Sequence, residues 1–250
     1  QVDILCLCTQ DLLELSLAQA KERPQTLEYP REQLYEMTRR AMAAGDLRRA
    51  IPPCRQMNEL FEEYFEGWEI ASELHLRLNK PQAGIIAIER ALALRPGDTQ
   101  ASLHRIQCWL AMDQTARATE ALRPLARRVY SNVDICNRLG LLLTQLNMND
   151  DALRQYQRAV ELEPDSALAY YNLAAAQRFA GALEAAQSSI NRGLAMNPLD
   201  HEGQALRSSL RKQTPDSNHV RELEQLLEHP KLTEQGKIHI CHALAKELDD

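Results

Sequence analysis

Small residues recur along the chain at a fixed interval. Ala50, Gly84, Ala118, Ala152 and Ala186 are spaced by 34 positions. Four residues after each comes an apolar one, Cys54, Ile88, Leu122, Tyr156 and Ile190 in turn, and three further on come Met57, Ala91, Leu125, Ala159 and Gly193. Offsets of this kind place side chains on one face of an α-helix. A second face precedes each of these. Leu34, Trp68, Cys136 and Tyr170 share a phase, with Ser102 as the exception, and Met37, Ala71, Leu139 and Leu173 follow, with Arg105 out of line. Beside them sit Thr38, Ser72, Gly140 and Ala174, small again except for Ile106. The pattern predicts two amphipathic helices per unit, each with one spot where backbones approach closely. Pro96, Pro164 and Pro198 close their units, because proline cannot continue a helix, while Glu62 and Tyr130 hold the same phase elsewhere.

This register divides the chain into five units, 31–64, 65–98, 99–132, 133–166 and 167–200. Two units carry prolines inside the second helix, Pro52-Pro53 and Pro124, where a kink is expected. Residues 1–30 form an N-terminal segment in which Asp11 to Glu22 reads as a capping helix, with Leu12 and Leu15 on one side; Gln1 to Cys8 has no assigned role. Residues 201–232 read as a degenerate helix pair closed at Pro230. Residues 233–250 read as the first helix of a further, incomplete unit, with Ile240, Leu244, Ala245 and Leu248 on its inner face. A stack ending there leaves that face half covered, so the natural protein is expected to continue beyond Asp250; the alternative is that the segment acts as a terminal cap.

Composition fits an extended stack. The chain is 44% hydrophobic but only 5% aromatic, which suits many small Ala and Leu contacts and no large aromatic centre. The net charge is −6 with acids and bases interspersed, which argues against nucleic acid as a partner. No apolar run is long enough to span a membrane. Cys6, Cys8, Cys54, Cys108, Cys136 and Cys241 show neither metal-ligand spacing nor a disulfide ladder, so they read as reduced thiols of a cytoplasmic protein. His239, Cys241 and His242 are a weak metal candidate; the simpler reading puts them on or beside one packing face. No nucleotide-binding, metalloprotease or paired-cysteine motif occurs, and acid pairs such as Glu62-Glu63 read as surface charge. No catalytic residue, cofactor or metal is expected.

The repeat resembles the tetratricopeptide repeat (TPR) family. Leu139, Gly140, Ala152, Tyr156, Ala159 and Pro164 match that family's preferred phases best, followed by Tyr170, Leu173, Ala174, Gly181, Ala186 and Pro198. The resemblance runs from Arg31 to Asp200 without insertion or deletion. It implies an all-α fold, a right-handed α-solenoid of antiparallel helix pairs, whose first helices line a concave groove for an extended or helical peptide. The groove phases hold Tyr35, Arg39, Glu66, Glu69, Glu73 and Arg77, then Leu103, Gln107, Leu110, Asn137, Leu141 and Gln145. Towards the end they hold Tyr171, Ala175, Arg178 and Phe179, with Asn172 adjacent. The groove is therefore expected to be acidic at one end and apolar with amide groups at the other, which suits a protein or peptide ligand with basic and apolar segments. Leu103, Leu110 and Leu141 are equally well read as packing between units.

The residues that clamp a C-terminal carboxylate in chaperone-binding members are missing, apart from Asn172. The asparagine ladder of glycosyltransferase members is also missing, because that phase reads Glu36, Ile70, His104, Arg138 and Asn172. A narrower resemblance covers Val220 to Asp250, which is similar to the linker joining TPR units to a C-terminal sulfotransferase domain in bacterial proteins. It implies a non-catalytic recognition module of a larger bacterial enzyme, with that domain as a partner in the same polypeptide. The alternative is a free-standing adaptor for complex assembly or self-association.

Overall fold

The computed structural model describes residues 29–214 and 217–250. The helix expected over Asp11 to Glu22 and the stretch Gln1 to Cys8 lie outside the described residues. Among the described residues there are thirteen helices and no strand. Five pairs come first: α1 (Arg31–Ala43) with α2 (Leu47–Leu60), α3 (Phe65–Arg77) with α4 (Pro81–Leu94), α5 (Thr99–Leu110) with α6 (Thr115–Ala126), α7 (Val133–Gln145) with α8 (Asn149–Leu162), and α9 (Ala167–Phe179) with α10 (Leu183–Met196). Then follow α11 (His201–Ser209), α12 (Val220–Leu227) and α13 (Glu234–Asp249). The first helices of the pairs, and α11 after them, start 34 residues apart, and so do the second helices.

The punctuation repeats as well. Each first helix is followed by one residue in the left-handed region: Gly45, Asn79, Asp113, Asn147 and Gly181, with φ between 56° and 76°. Glycine, asparagine and aspartate tolerate that conformation best, and it turns the chain sharply into the second helix. Asp98, Asn132, Ser166 and Asp200 cap α5, α7, α9 and α11, each side chain accepting a hydrogen bond from a backbone N–H in the first turn. Arg95, Glu163 and Asn197 precede the unit-closing prolines with φ near −130° and ψ near 80°, outside the helical region as the proline ring requires.

The small-residue rows are where helices touch. Ala50, Ala118, Ala152 and Ala186 are at most 1% exposed. A Cβ on Gly84 would lie 2.9 Å from Cys108 Sγ on the next unit's first helix and 3.4 Å from Ser72 O in its own unit. Cys54, Cys108 and Cys136 are buried, and burial pushes the Cys54 thiol up to about 12, so it is inert packing.

Several expectations need correction. Met37 is 41% exposed although its phase reads as core. In the third unit that phase is Arg105, which reaches Glu89 on the preceding second helix, and among the described residues no helix precedes α1. Pro52 and Pro53 do not interrupt α2, which is as long as α4, α8 and α10; Pro124, by contrast, is followed by an end two residues early. On α13 the buried face is Gly236, Ile240, Ala243 and Glu247, so Ala245 and Leu248 face outward. The reason is that α13 lies directly beside α11, in parallel, with His201 against His239 and Ser208 against Glu247. His239 thus lies on the packing face, and Cys241 and His242 are exposed beside it.

Candidate functional site

The first helices pack side by side in chain order, so their outward residues form one continuous face crossed by polar contacts between units. At its start Tyr35 meets Tyr64 edge to face at 6.2 Å, and Arg39 pairs with Glu36 on its own helix. Glu66 is bound by Arg95 at 2.8 Å, and Glu73 lies 3.8 Å from Arg77. The acidic end is therefore partly neutralised within the chain, and of these pairs only Glu66–Arg95 lies beyond helical spacing.

In the centre the groove residues Glu69 and Gln107 are joined by two that the groove phases did not select, His104 and Arg138. His104 Nδ1 lies 3.8 Å from Glu69 Oε1. Burial, helped by the Arg138 charge, lowers the His104 pKa to about 3, so the imidazole is neutral and this contact is not an ion pair. Burial in turn pushes the Glu69 carboxyl above its usual range, with Asp98 adding to the effect. Arg138 on α7 reaches back to α5, donating to Gln100 Oε1 at 2.7 Å and Gln107 Oε1 at 3.1 Å. The available signal was a charged residue at a phase where the second unit has Ile70. Next, Asn172 Nδ2 donates to Asn137 Oδ1 at 3.3 Å, and Arg178 Nη1 to Ser209 Oγ at 3.3 Å.

Two notches open on this face. One, of about 430 Å³, is bounded by Gln107, Leu110, Leu141 and Gln145. Leu141 is 50% exposed there, whereas Leu103 is fully buried and belongs to the core. The other, of about 460 Å³, gathers Tyr171, Arg178, Glu202, Ser209 and His239. Phe179 ends α9 with 61% of its surface exposed and the Arg178 guanidinium 5.3 Å from its ring centre. Ala175, like Tyr171, packs partly buried against the core around Ala174 and Leu206. Among the described residues no cluster of three or more His, Cys, Asp or Glu could hold a metal ion. No described helix is long and apolar enough to cross a membrane.

Residues 140–178 match a family model described as TPR repeat. No curated protein matches the sequence. Among solved structures, the chain is similar to the APC/C hetero-tetramer Cut9–Hcn1 (TM-score 0.64, 16% identity, covering 94% of this chain and 46% of that one). It is also similar to PilW, a widely conserved type IV pilus biogenesis factor (TM-score 0.63, 13% identity, 88% and 94% covered). A third is a thermophilic TPR protein from Thermus thermophilus (TM-score 0.59, 16% identity, 72% and 98% covered). At these identities the likeness concerns the fold. Helix order, the 34-residue period and these neighbours agree that the chain is an α-solenoid, and its residues 140–178 match the TPR repeat.

Proposed function

We propose that this chain is a non-catalytic scaffold that binds a protein or peptide along the face of its first helices. The observation that carries this reading is the pair of notches at Gln107–Gln145 and Tyr171–His239, which combine apolar walls with amide and charged groups on one face. Large side chains left exposed beside polar ones suit a partner that brings its own apolar anchor. Glu69 and Glu73, with Tyr35, Arg39 and Arg77 around them, bias the early end towards a basic segment. Asn137, Asn172, Phe179 and Tyr171 suit an extended backbone with an aromatic or aliphatic anchor at the other end. The names of two neighbours, an APC/C hetero-tetramer and a type IV pilus biogenesis factor, are in keeping with a role in protein complexes.

The test is a pull-down from a native extract with the parent, with Glu69→Lys/Glu73→Lys and with Tyr171→Ala/Phe179→Ala, each checked for an unchanged melting curve. Loss of the same recovered partner in both variants is expected. Undiminished recovery in both removes the first-helix face as the binding site.

The similarity of Val220–Asp250 to a pre-sulfotransferase linker supports a finer reading. In it this solenoid presents substrate to a catalytic domain of the same cytoplasmic bacterial polypeptide. A coding sequence that continues past Asp250 into a phosphate-binding loop is the expected result. A stop codon there favours a free-standing adaptor.

A further inference from the structure

Away from that face the stack carries a larger pocket. It lies between the second helices α2 and α4, with α3 as its floor, and has a volume of about 610 Å³. Cys54, Trp68, Ala71 and Leu74 make it apolar inside. Trp68 is fixed there by its indole N–H, which donates to Glu62 O at 2.7 Å. Glu59, Glu62 and Glu63 stand at the rim against Arg55 and Arg90, leaving one net negative charge. Asn58 Oδ1 and His75 Nδ1, on two residues that line the pocket, are buried with no hydrogen-bond partner among the described residues. Burial, and then the Lys80 charge, lowers the His75 pKa, which leaves a neutral ring able to accept. The pocket thus asks for an apolar body that carries positive charge.

The same groove recurs two units further on, between α6 and α8, with the opposite charge. There Arg127, Arg128, Arg154 and Arg158 face a single Glu161. Gln155 reaches across and donates to Ala126 O at 3.2 Å, and Arg158 Nε donates to Tyr130 O at 3.1 Å. The repeat breaks at this point. Pro124 has no N–H to donate, and α6 stops at Ala126, two residues short of the other second helices. Arg127, Arg128 and Val129 are released into an exposed corner. Val129 is 84% exposed, more than any other exposed large apolar residue of the described chain, and two arginines precede it.

We infer that a second copy of this chain seats its Arg127-Arg128-Val129 corner in the acidic, apolar-floored pocket between α2 and α4. The corner supplies what the pocket lacks: an apolar tip for its Trp68 and Leu74 floor, and charge opposite to the rim. Pocket and corner sit on different units of one continuous stack, so only another molecule brings them together. The contact joins unlike surfaces, so it propagates head to tail instead of closing into a symmetric pair. Charge steers it, so salt weakens it.

Sedimentation velocity of the full chain over a wide concentration range, at low and high salt, tests this. The parent's average mass should rise with concentration at low salt and fall back in high salt. Arg128→Glu/Val129→Asp removes the corner, and Glu62→Arg/Glu63→Arg reverses the rim. Each variant alone should stay monomeric with an unchanged melting temperature. Mixed together, the two keep one good corner and one good pocket between them, so they should form a complex of two chains and nothing larger. A parent that stays monomeric throughout overturns the proposal, even if the pocket binds some other basic peptide. So does self-association that survives both variants, or a mixture that fails to pair while the parent associates. Glu69→Lys/Glu73→Lys should leave self-association intact, which separates this surface from the first-helix face.

Discussion

The ring of Tyr156 fills the space that a side chain at Gly140 would occupy. A Cβ there would lie 2.6 Å from Tyr156 Cε1, and Tyr156 is itself only 6% exposed. The contact joins the two helices of the fourth unit and explains why a glycine tolerates a mid-helix position that costs about 1 kcal/mol relative to alanine. Gly140→Ala should destabilise the chain by about 1–3 kcal/mol, since the buried ring must shift to admit the methyl group. Tyr156→Leu in the same chain should recover part of the loss. Equilibrium urea melts of the four chains of the cycle measure both, and an additive result removes the contact as the cause.

Ala152, on the same unit's second helix and 1% exposed, offers a second check of the register. Ala152→Leu should overpack the contact at a similar cost of about 1–3 kcal/mol. A melting curve unchanged from the parent's would place that residue on the wrong face.

His104 makes the centre of the stack sensitive to acid. Its pKa is about 3 in the fold against 6.5 as a free side chain, so between those values the unfolded chain binds the extra proton. The stability it contributes is complete above pH 6.5 and is lost as pH falls towards 3. The charged groups facing it are Glu69 and Arg138. His104→Gln should therefore flatten the fall of melting temperature between pH 7 and pH 4. In Arg138→Met, the His104 ring should titrate at a higher pH by NMR, because the repelling charge is gone.

Glu247 holds the far end of the chain. Its side chain is fully buried and accepts from Ser208 Oγ at 2.5 Å, from the His219 backbone N–H at 2.5 Å and from the His219 ring at 3.0 Å. Burial alone would raise its pKa, but these donors outweigh it and hold the carboxyl below its usual range. The stabilisation is present above the ordinary carboxylate pKa and is lost as pH falls through the depressed value. Glu247→Leu leaves Ser208 and His219 without their acceptor and should cost about 1.5–3 kcal/mol for each charged hydrogen bond removed. Faster amide exchange at His219 and across α11 is the expected signature; unchanged protection there would refute the clamp.

Much of this was legible in the sequence because the repeat is a local code. Helix faces and closing prolines depend on residues a few positions away, and the small rows need only a constant period. That is why Ala50 to Ala186, or Tyr156 and Ile190, could be placed before any coordinates. The role of Arg138 was not legible, since its partners Gln100 and Gln107 lie on another unit, and a charge at one phase does not say whom it meets. The neutral state of His104 likewise depends on how deeply the stack buries it.

The sequence by itself determined the period, the helix pairs and the small residues at their contacts, because those follow from spacing along one stretch of chain. Only the tertiary structure decided that Met37 and Leu248 face outward, that α13 lies parallel to α11, and that the grooves at α2–α4 and α6–α8 differ in charge. These depend on which surfaces of separate units meet, and the energy of burial or of an ion pair is set by that meeting, not by position in the sequence.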